Sequence, residues 1–89
     1  MSDINKWFAN KCGVSVDTAM YKDFSINNCY DREIIREKFG ISTISNHAQS
    51  TASKDYFYWA ETLKITGRGK TISEAECNCI TAIYEARDD

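Results

Sequence analysis

The chain has 89 residues, 43% of them apolar and 27% charged, with a formal net charge of −2. Those values describe one small globular domain rather than a disordered tail, with burial of only ~60–65% of its unfolded surface and a thin stability margin. No run approaches the ~18 apolar residues of a membrane span, and the N-terminus lacks a secretion-signal pattern, so a cytosolic location is expected.

A first helix is expected over residues 3–12. Ser2 offers an N-cap, Asp3 suits the positive helix start, and Gly13 supplies a left-handed stop. Ile4, Trp7, Phe8 and Lys11/Cys12 recur at helical spacing, which predicts a core stripe rather than an aromatic binding box. Residues 14–24 show no period and read as a connection, with room for a short extended piece over 19–22.

A second helix starts within 25–28, where Ser and Asn cluster, and ends at Phe39-Gly40. Its expected buried side is Ile26, Tyr30, Ile34, Ile35 and Lys38/Phe39, with Arg32, Glu33, Arg36 and Glu37 mostly outward. Arg32–Arg36 and Glu33–Glu37 place like charges four apart, a slight cost that Glu33–Arg36 partly offsets.

Residues 41–45 alternate as a strand, and 46–54 form a loop rich in Ser, Thr, Asn and Ala. The strongest strand pattern covers 55–66. One face carries Phe57, Trp59, Leu63 and Ile65, with Glu61 as the odd member, and the other carries Tyr56, Tyr58, Ala60, Thr62 and Lys64. This run exceeds the usual ~5–6 residues of a strand, which implies a sheet bend or a projecting hairpin.

Gly67-Arg68-Gly69 reads as a turn, and residues 70–72 as a brief return pairing. The third helix then opens with Ser73 and Glu76 as a capping box and Ile72 and Cys77 as a hydrophobic staple. Ala75, Cys79, Ile80, Ala82, Ile83 and Tyr84 supply its packing face. The chain thus reads as a single α+β domain over 1–89, a small antiparallel sheet of two to three strands covered by three helices in the order α-α-β-β-(β)-α.

Catalytic and metal chemistry find little footing. Gly69-Lys70-Thr71 suggests a phosphate loop, but the first glycine of Gly-x-x-x-x-Gly-Lys-Ser/Thr would fall at Lys64. Without a secretion signal, Cys12, Cys29, Cys77 and Cys79 are expected as reduced thiols. Cys77 and Cys79 sit about 200° apart around a helix, too far to chelate one ion together. His47, the only histidine, lies in a polar loop with no nucleophile motif beside it. The expectation is a non-enzyme without metal or cofactor.

Charge is unevenly placed. Glu74, Glu76, Glu85, Asp88 and Asp89 against Arg87 give residues 74–89 a balance of −4. Lys54, Lys64, Arg68 and Lys70 against Asp55 and Glu61 give the preceding strand and turn +2. An acidic helix end is either a solvated surface or a face that docks on a basic partner.

Ile4-Asn-Lys-Trp7-Phe-Ala-Asn-Lys-Cys-Gly13, the step Glu37-Lys38-Phe39-Gly40, Tyr58-Trp59-Ala60-Glu61 and Gly69-Lys-Thr-Ile-Ser-Glu-Ala75 together resemble the small phage-encoded proteins of the phage ABA-sandwich domain family. The resemblance spans most of the chain and departs after the first helix, where the Trp/Gly-rich hairpin of that family is missing. It implies a viral accessory protein and carries no catalytic residues. Residues 55–86, with Gly67-x-Gly69 followed by Ser73-Glu-Ala-Glu76, are also similar to a double-stranded-RNA-binding domain. Ile72 and Ser73 occupy the lysine positions of that module, and Glu74 and Glu76 would face phosphates unfavourably.

The expected function is therefore a phage-encoded, non-enzymatic inhibitor of a host defence system, acting by protein–protein binding in the host cytoplasm, with an anti-CRISPR protein as the specific form. Its candidate contacts are Glu74, Glu85, Asp88 and Asp89, with Tyr56 and Tyr58 either facing a partner or packing under a helix. The first alternative is a double-stranded nucleic-acid binder using Lys64, Arg68 and Lys70. The second is a structural or assembly protein whose exposed strand pairs in a homodimer, so monomer and homodimer both stay open.

Overall fold

The computed structural model describes residues 2–14, 24–45 and 58–87. The elements are α1 (Asp3–Lys11), α2 (Cys29–Phe39), β1 (Ser42–Ser45), β2 (Tyr58–Glu61), β3 (Thr66–Gly69) and α3 (Ile72–Glu85). This is the expected α+β architecture, and β3 is a full member of the sheet. The three strands are antiparallel in the order β1-β2-β3. The expected connections over 14–24 and 46–54 lie almost wholly outside the described residues, as do positions 55–57 of the long strand run.

The helix ends follow local chemistry. Ser2 caps α1 by accepting from the Asn5 N–H, and Gly13 follows at φ 71°. Asn28 caps α2 by accepting from the Tyr30 and Asp31 N–H groups at 2.9 and 3.3 Å. Gly40, at φ 68°, closes α2 so that the Ile41 N–H reaches the Arg36 carbonyl at 3.0 Å.

The long strand run is folded back on itself. Residues 58–61 are strand, residues 62–65 turn, and 66–69 return as β3. The Thr62 N–H donates to the Ile65 carbonyl at 2.8 Å, while Thr62 Oγ1 accepts from the Ile65 and Lys64 N–H groups at 3.1 and 3.3 Å. A threonine hydroxyl thus stands in for turn backbone, so no Gly, Asn or Asp marks the reversal. The projecting hairpin is real, whereas Gly67-Arg68-Gly69 is strand rather than turn.

Those glycines serve close approach. Neither Gly67 nor Gly69 has positive φ. A Cβ on Gly67 would lie 2.1 Å from the Cys79 nitrogen, and one on Gly69 would lie 2.6 Å from the Ala75 nitrogen. Helix α3 therefore rests on the bare backbone of β3. The cross-strand rows Thr43–Ala60–Gly67 and Ser45–Tyr58–Gly69 form the helix-facing side, and Ile44–Trp59–Arg68 and Ser42–Glu61–Thr66 form the other. Trp59 and Glu61 share one face of β2 and Tyr58 and Ala60 the other, as expected; Ala60 is fully buried and Trp59 lies on the side away from α3.

The core joins Phe8 and Ala9 of α1, Phe24, Ile35 of α2, Ile41, Ala60 of β2, and Ala75, Cys79 and Ile80 of α3. Two expectations for α2 are corrected. Tyr30 is 74% exposed, and Arg32 is buried. Burying a guanidinium is tolerable only when it is paired and hydrogen-bonded. Arg32 donates through Nε to Glu76 Oε1 at 3.1 Å, through Nη1 to the Ile26 carbonyl at 3.0 Å, and through Nη2 to Ser73 Oγ at 2.9 Å. Half-buried Arg36 and the Thr43 hydroxyl donate to Glu76 Oε2 at 2.8 and 2.6 Å. The like-charged Arg32–Arg36 pair converges on one carboxylate.

That assignment also moves the start of α3. Thr71 is its N-cap, accepting from the Glu74 N–H at 3.1 Å. Ser73 and Glu76 do not form the expected capping box; both are turned to Arg32 instead, and Ile72 is exposed rather than stapled.

Candidate functional site

The acidic residues chosen from sequence separate into three groups. Glu74 and Glu85 are exposed on α3. Eleven residues apart, they fall within ~20° of one another around the axis and mark the two ends of one outward stripe. Glu76 faces inward, so it meets the arginines of α2 and would not oppose a bound phosphate. Asp88, Asp89 and Tyr56 lie outside the described residues. Tyr58 is half-buried and packs against the core, the sheet-packing alternative.

The basic set does not converge. Lys64 is exposed in the β2–β3 turn, Arg68 lies on the sheet face away from α3, and Lys70 sits between β3 and α3. The hydrogen bond between residues 62 and 65 sets the ladder alternation, which makes Trp59–Arg68 a non-hydrogen-bonded pair. The peptide groups of Arg68 therefore point outward from the edge of β3. Asn78 Nδ2 donates to that outward carbonyl at 2.6 Å, so an acceptor that an incoming strand would need is already used.

Three thiols are quietened by burial, which raises the pKa of Cys12, Cys77 and Cys79 above the ordinary thiol value. Lys38 opposes this at Cys12, and Arg32 opposes it at Cys77, where Glu76 adds to the rise. At Cys79, where Gly67 opposes it by a backbone hydrogen bond, Glu61 and Glu76 add to the rise. Cys77 Sγ approaches the Ile26 carbonyl at 3.5 Å while Cys79 is held against Gly67, so the two sulfurs face different elements. A raised pKa suppresses the nucleophilic thiolate.

The most distinctive surface lies elsewhere, where α1, the end of α2, the β2–β3 turn and the end of α3 meet. Trp7, Lys11, Phe39, Ile65, Ile83, Ala86 and Arg87 line one depression. A second, lined by Gly40, Thr62, Leu63 and Lys64, shares Phe39, Ile65 and Ile83 with it, so the two run together as one apolar groove. The floor is stiffened by aromatic packing. Trp7 stacks on Phe39 at 6.0 Å and meets Phe8 and Tyr84 edge-on at 4.9 and 5.8 Å.

Cations and one unburied leucine complete the groove. Lys11 Nζ stands 5.3 Å from the Trp7 ring centre, and Arg87 Cζ stands 3.7 Å from that of Tyr84. Arg87 Nη1 also donates to the Tyr84 carbonyl at 2.7 Å. Leu63 is 105% exposed although the turn that carries it is hydrogen-bonded. No protein-family model, curated protein or solved structure matches this chain.

Sequence reasoning did not select this groove. By spacing alone, Trp7 and Phe39 fall on core stripes and Leu63 on one face of the 55–66 strand run. The available signal was that strand's excess length, which the projecting hairpin explains. Among the described residues, no helix is long and apolar enough to cross a membrane.

Proposed function

We propose that this chain is a non-enzymatic protein-binding module that docks through the groove between α1, the β2–β3 turn and the end of α3. The observation that carries the reading is Leu63, a fully exposed apolar side chain on an ordered turn beside an aromatic-floored groove. Apolar and aromatic anchors with neighbouring arginine are the residue types that dominate protein–protein contacts. The resemblance to small phage-encoded ABA-sandwich proteins supports a specific form of this role. In that form the chain occupies a surface of a host defence complex, as an anti-CRISPR protein does.

The nucleic-acid alternative has weaker support, because Lys64, Arg68 and Lys70 are dispersed over a turn, a sheet face and a junction. A backbone-tracking site needs its cations along one path.

Expression of the chain in a CRISPR-immune host, followed by phage plaquing, tests the specific form. Restored plaquing by the wild type and its loss with Leu63→Asp are expected. Unchanged immunity with soluble, folded protein would remove the inhibitor role. Equal activity of wild type and Leu63→Asp would move the interface away from the groove.

A further inference from the structure

We infer that the groove receives a short acidic segment of a partner protein, in which one or two large apolar side chains are flanked by carboxylates. This rests on the proposed docking role and specifies its partner.

The groove has a polarity that its floor alone does not reveal. Phe39, Ile65 and Ile83, shared by both depressions, form an apolar centre where a large side chain can lose its water. Lys11 of α1, Lys64 of the β2–β3 turn and Arg87 just beyond α3 stand along the lining. Among the described residues, none that lines either depression is acidic. Glu61 and Glu85 are close in sequence to the turn and the end of α3, yet neither lines the groove. An apolar centre flanked by these three cations matches a ligand with the same layout and opposite charge. Burial of the anchor supplies affinity, while the cations set orientation and reject a basic segment.

The layout argues against the other occupants. A nucleic-acid strand would meet aliphatic side chains at the centre, where its phosphates and sugars need polar partners. The outward stripe of a second copy from Glu74 to Glu85 does not match the groove. That stripe carries Asn78 and half-buried Thr81 between its carboxylates and no large apolar anchor.

Peptides of about twelve residues provide the test. One carries Leu and Phe anchors three residues apart among Glu and Asp, a second replaces the acids with Lys, and a third replaces the anchors with Ala. Each is titrated into the full chain and followed by amide chemical shifts. The acidic anchored peptide is expected to move Trp7, Phe39, Leu63–Ile65 and Ile83–Arg87, and to bind at least about tenfold more tightly than either control. Raising salt from about 50 to about 300 mM weakens it. The triple variant Lys11→Glu/Lys64→Glu/Arg87→Glu, checked for an unchanged melting transition, reverses the preference and takes the Lys peptide.

Equal binding of the acidic and Lys peptides, shifts outside the groove, or no binding at about 1 mM peptide would overturn the inference. So would tighter binding to anionic lipid vesicles than to the acidic peptide, or a concentration-dependent dimer abolished by Leu63→Asp. Loss of partner binding by Leu63→Asp without charge preference among the peptides would leave the docking role standing and remove only its acidic ligand.

Discussion

Glu76 and Arg32 meet at 3.1 Å, with only 2% and 5% of their side chains exposed. The pair joins α3 to α2, and Thr43 extends it to β1. Removing one member strands the other charge in the interior, which costs about 3–5 kcal/mol. Glu76→Ala is therefore expected to lower urea-unfolding stability by about that amount. Replacing both ions, as in Arg32→Met/Glu76→Leu, recovers a substantial part of the loss. A Glu76→Ala variant within about 1 kcal/mol of the wild type would show that the network does not hold the fold.

Ser73 belongs to the same network, whereas Thr71 belongs to the helix end. Thr71→Ala is expected to cost about 1 kcal/mol through the lost cap. Its effect should add to that of Arg32→Met. Ser73→Ala should instead show a coupling of about 0.5 kcal/mol or more with Arg32→Met in a double-mutant cycle. Additivity at Ser73 together with coupling at Thr71 would restore the capping box expected from sequence.

Gly67 and Gly13 make opposite demands on their environments. Gly67 has ordinary φ and no space, with backbone atoms of Cys79 and Ala75 at 2.1 and 2.7 Å from an added Cβ. Gly13 has φ 71° and nothing within 4 Å. Gly67→Ala is expected to cost about 3 kcal/mol or more, because helix α3 must lift from the strand. Gly13→Ala costs about 1–2 kcal/mol in backbone strain. Thermal melting that ranks the two in reverse would contradict the packing of α3 on β3.

Cys12, Cys77 and Cys79 link stability to alkaline pH. Burial raises each thiol above its ordinary value, so the folded chain holds these protons more tightly than the unfolded chain. Their contribution is full below the unfolded thiol pKa of about 8.5 and is lost as pH rises through the folded values. Wild-type stability should fall as pH rises above the unfolded thiol value, and Cys12→Ala/Cys77→Ala/Cys79→Ala should fall less. Parallel pH profiles for the two proteins would exclude this linkage. Exposed Cys29 should be modified by a thiol reagent well before Cys79, which requires opening of the core.

Local signals in the sequence were enough for the α+β order and for the ends of α1 and α2. Ser2, Gly13, Asn28 and Gly40 act through their immediate neighbours, so their roles were readable from spacing. Three features were not readable: two depend on distant residues, and the third is a local reversal without the usual turn residues. Arg32 and Glu76 are 44 positions apart, and as isolated charges they read as a surface group and a capping residue. Gly67 looks like a turn until α3 is placed on it. The reversal at 62–65 is encoded by the Thr62 hydroxyl, inside a run whose β-propensity favours continuity. The candidate groove was hidden with that reversal, which carries Leu63 out of the strand face and into solvent.

The resting of α3 on bare strand backbone has a consequence for the time course of folding. Strands β2 and β3 and helix α3 are consecutive in the chain, so their mutual contacts close only short loops. The Arg32–Glu76 lock closes a far longer one. The C-terminal hairpin and helix are thus placed to organise first, with α1 and α2 docking onto them afterwards. In stopped-flow refolding, Gly67→Ala is expected to slow folding, whereas Glu76→Ala should act mainly by speeding unfolding. A Glu76→Ala variant that slows folding as much as it destabilises would assign the early role to the ion pair instead.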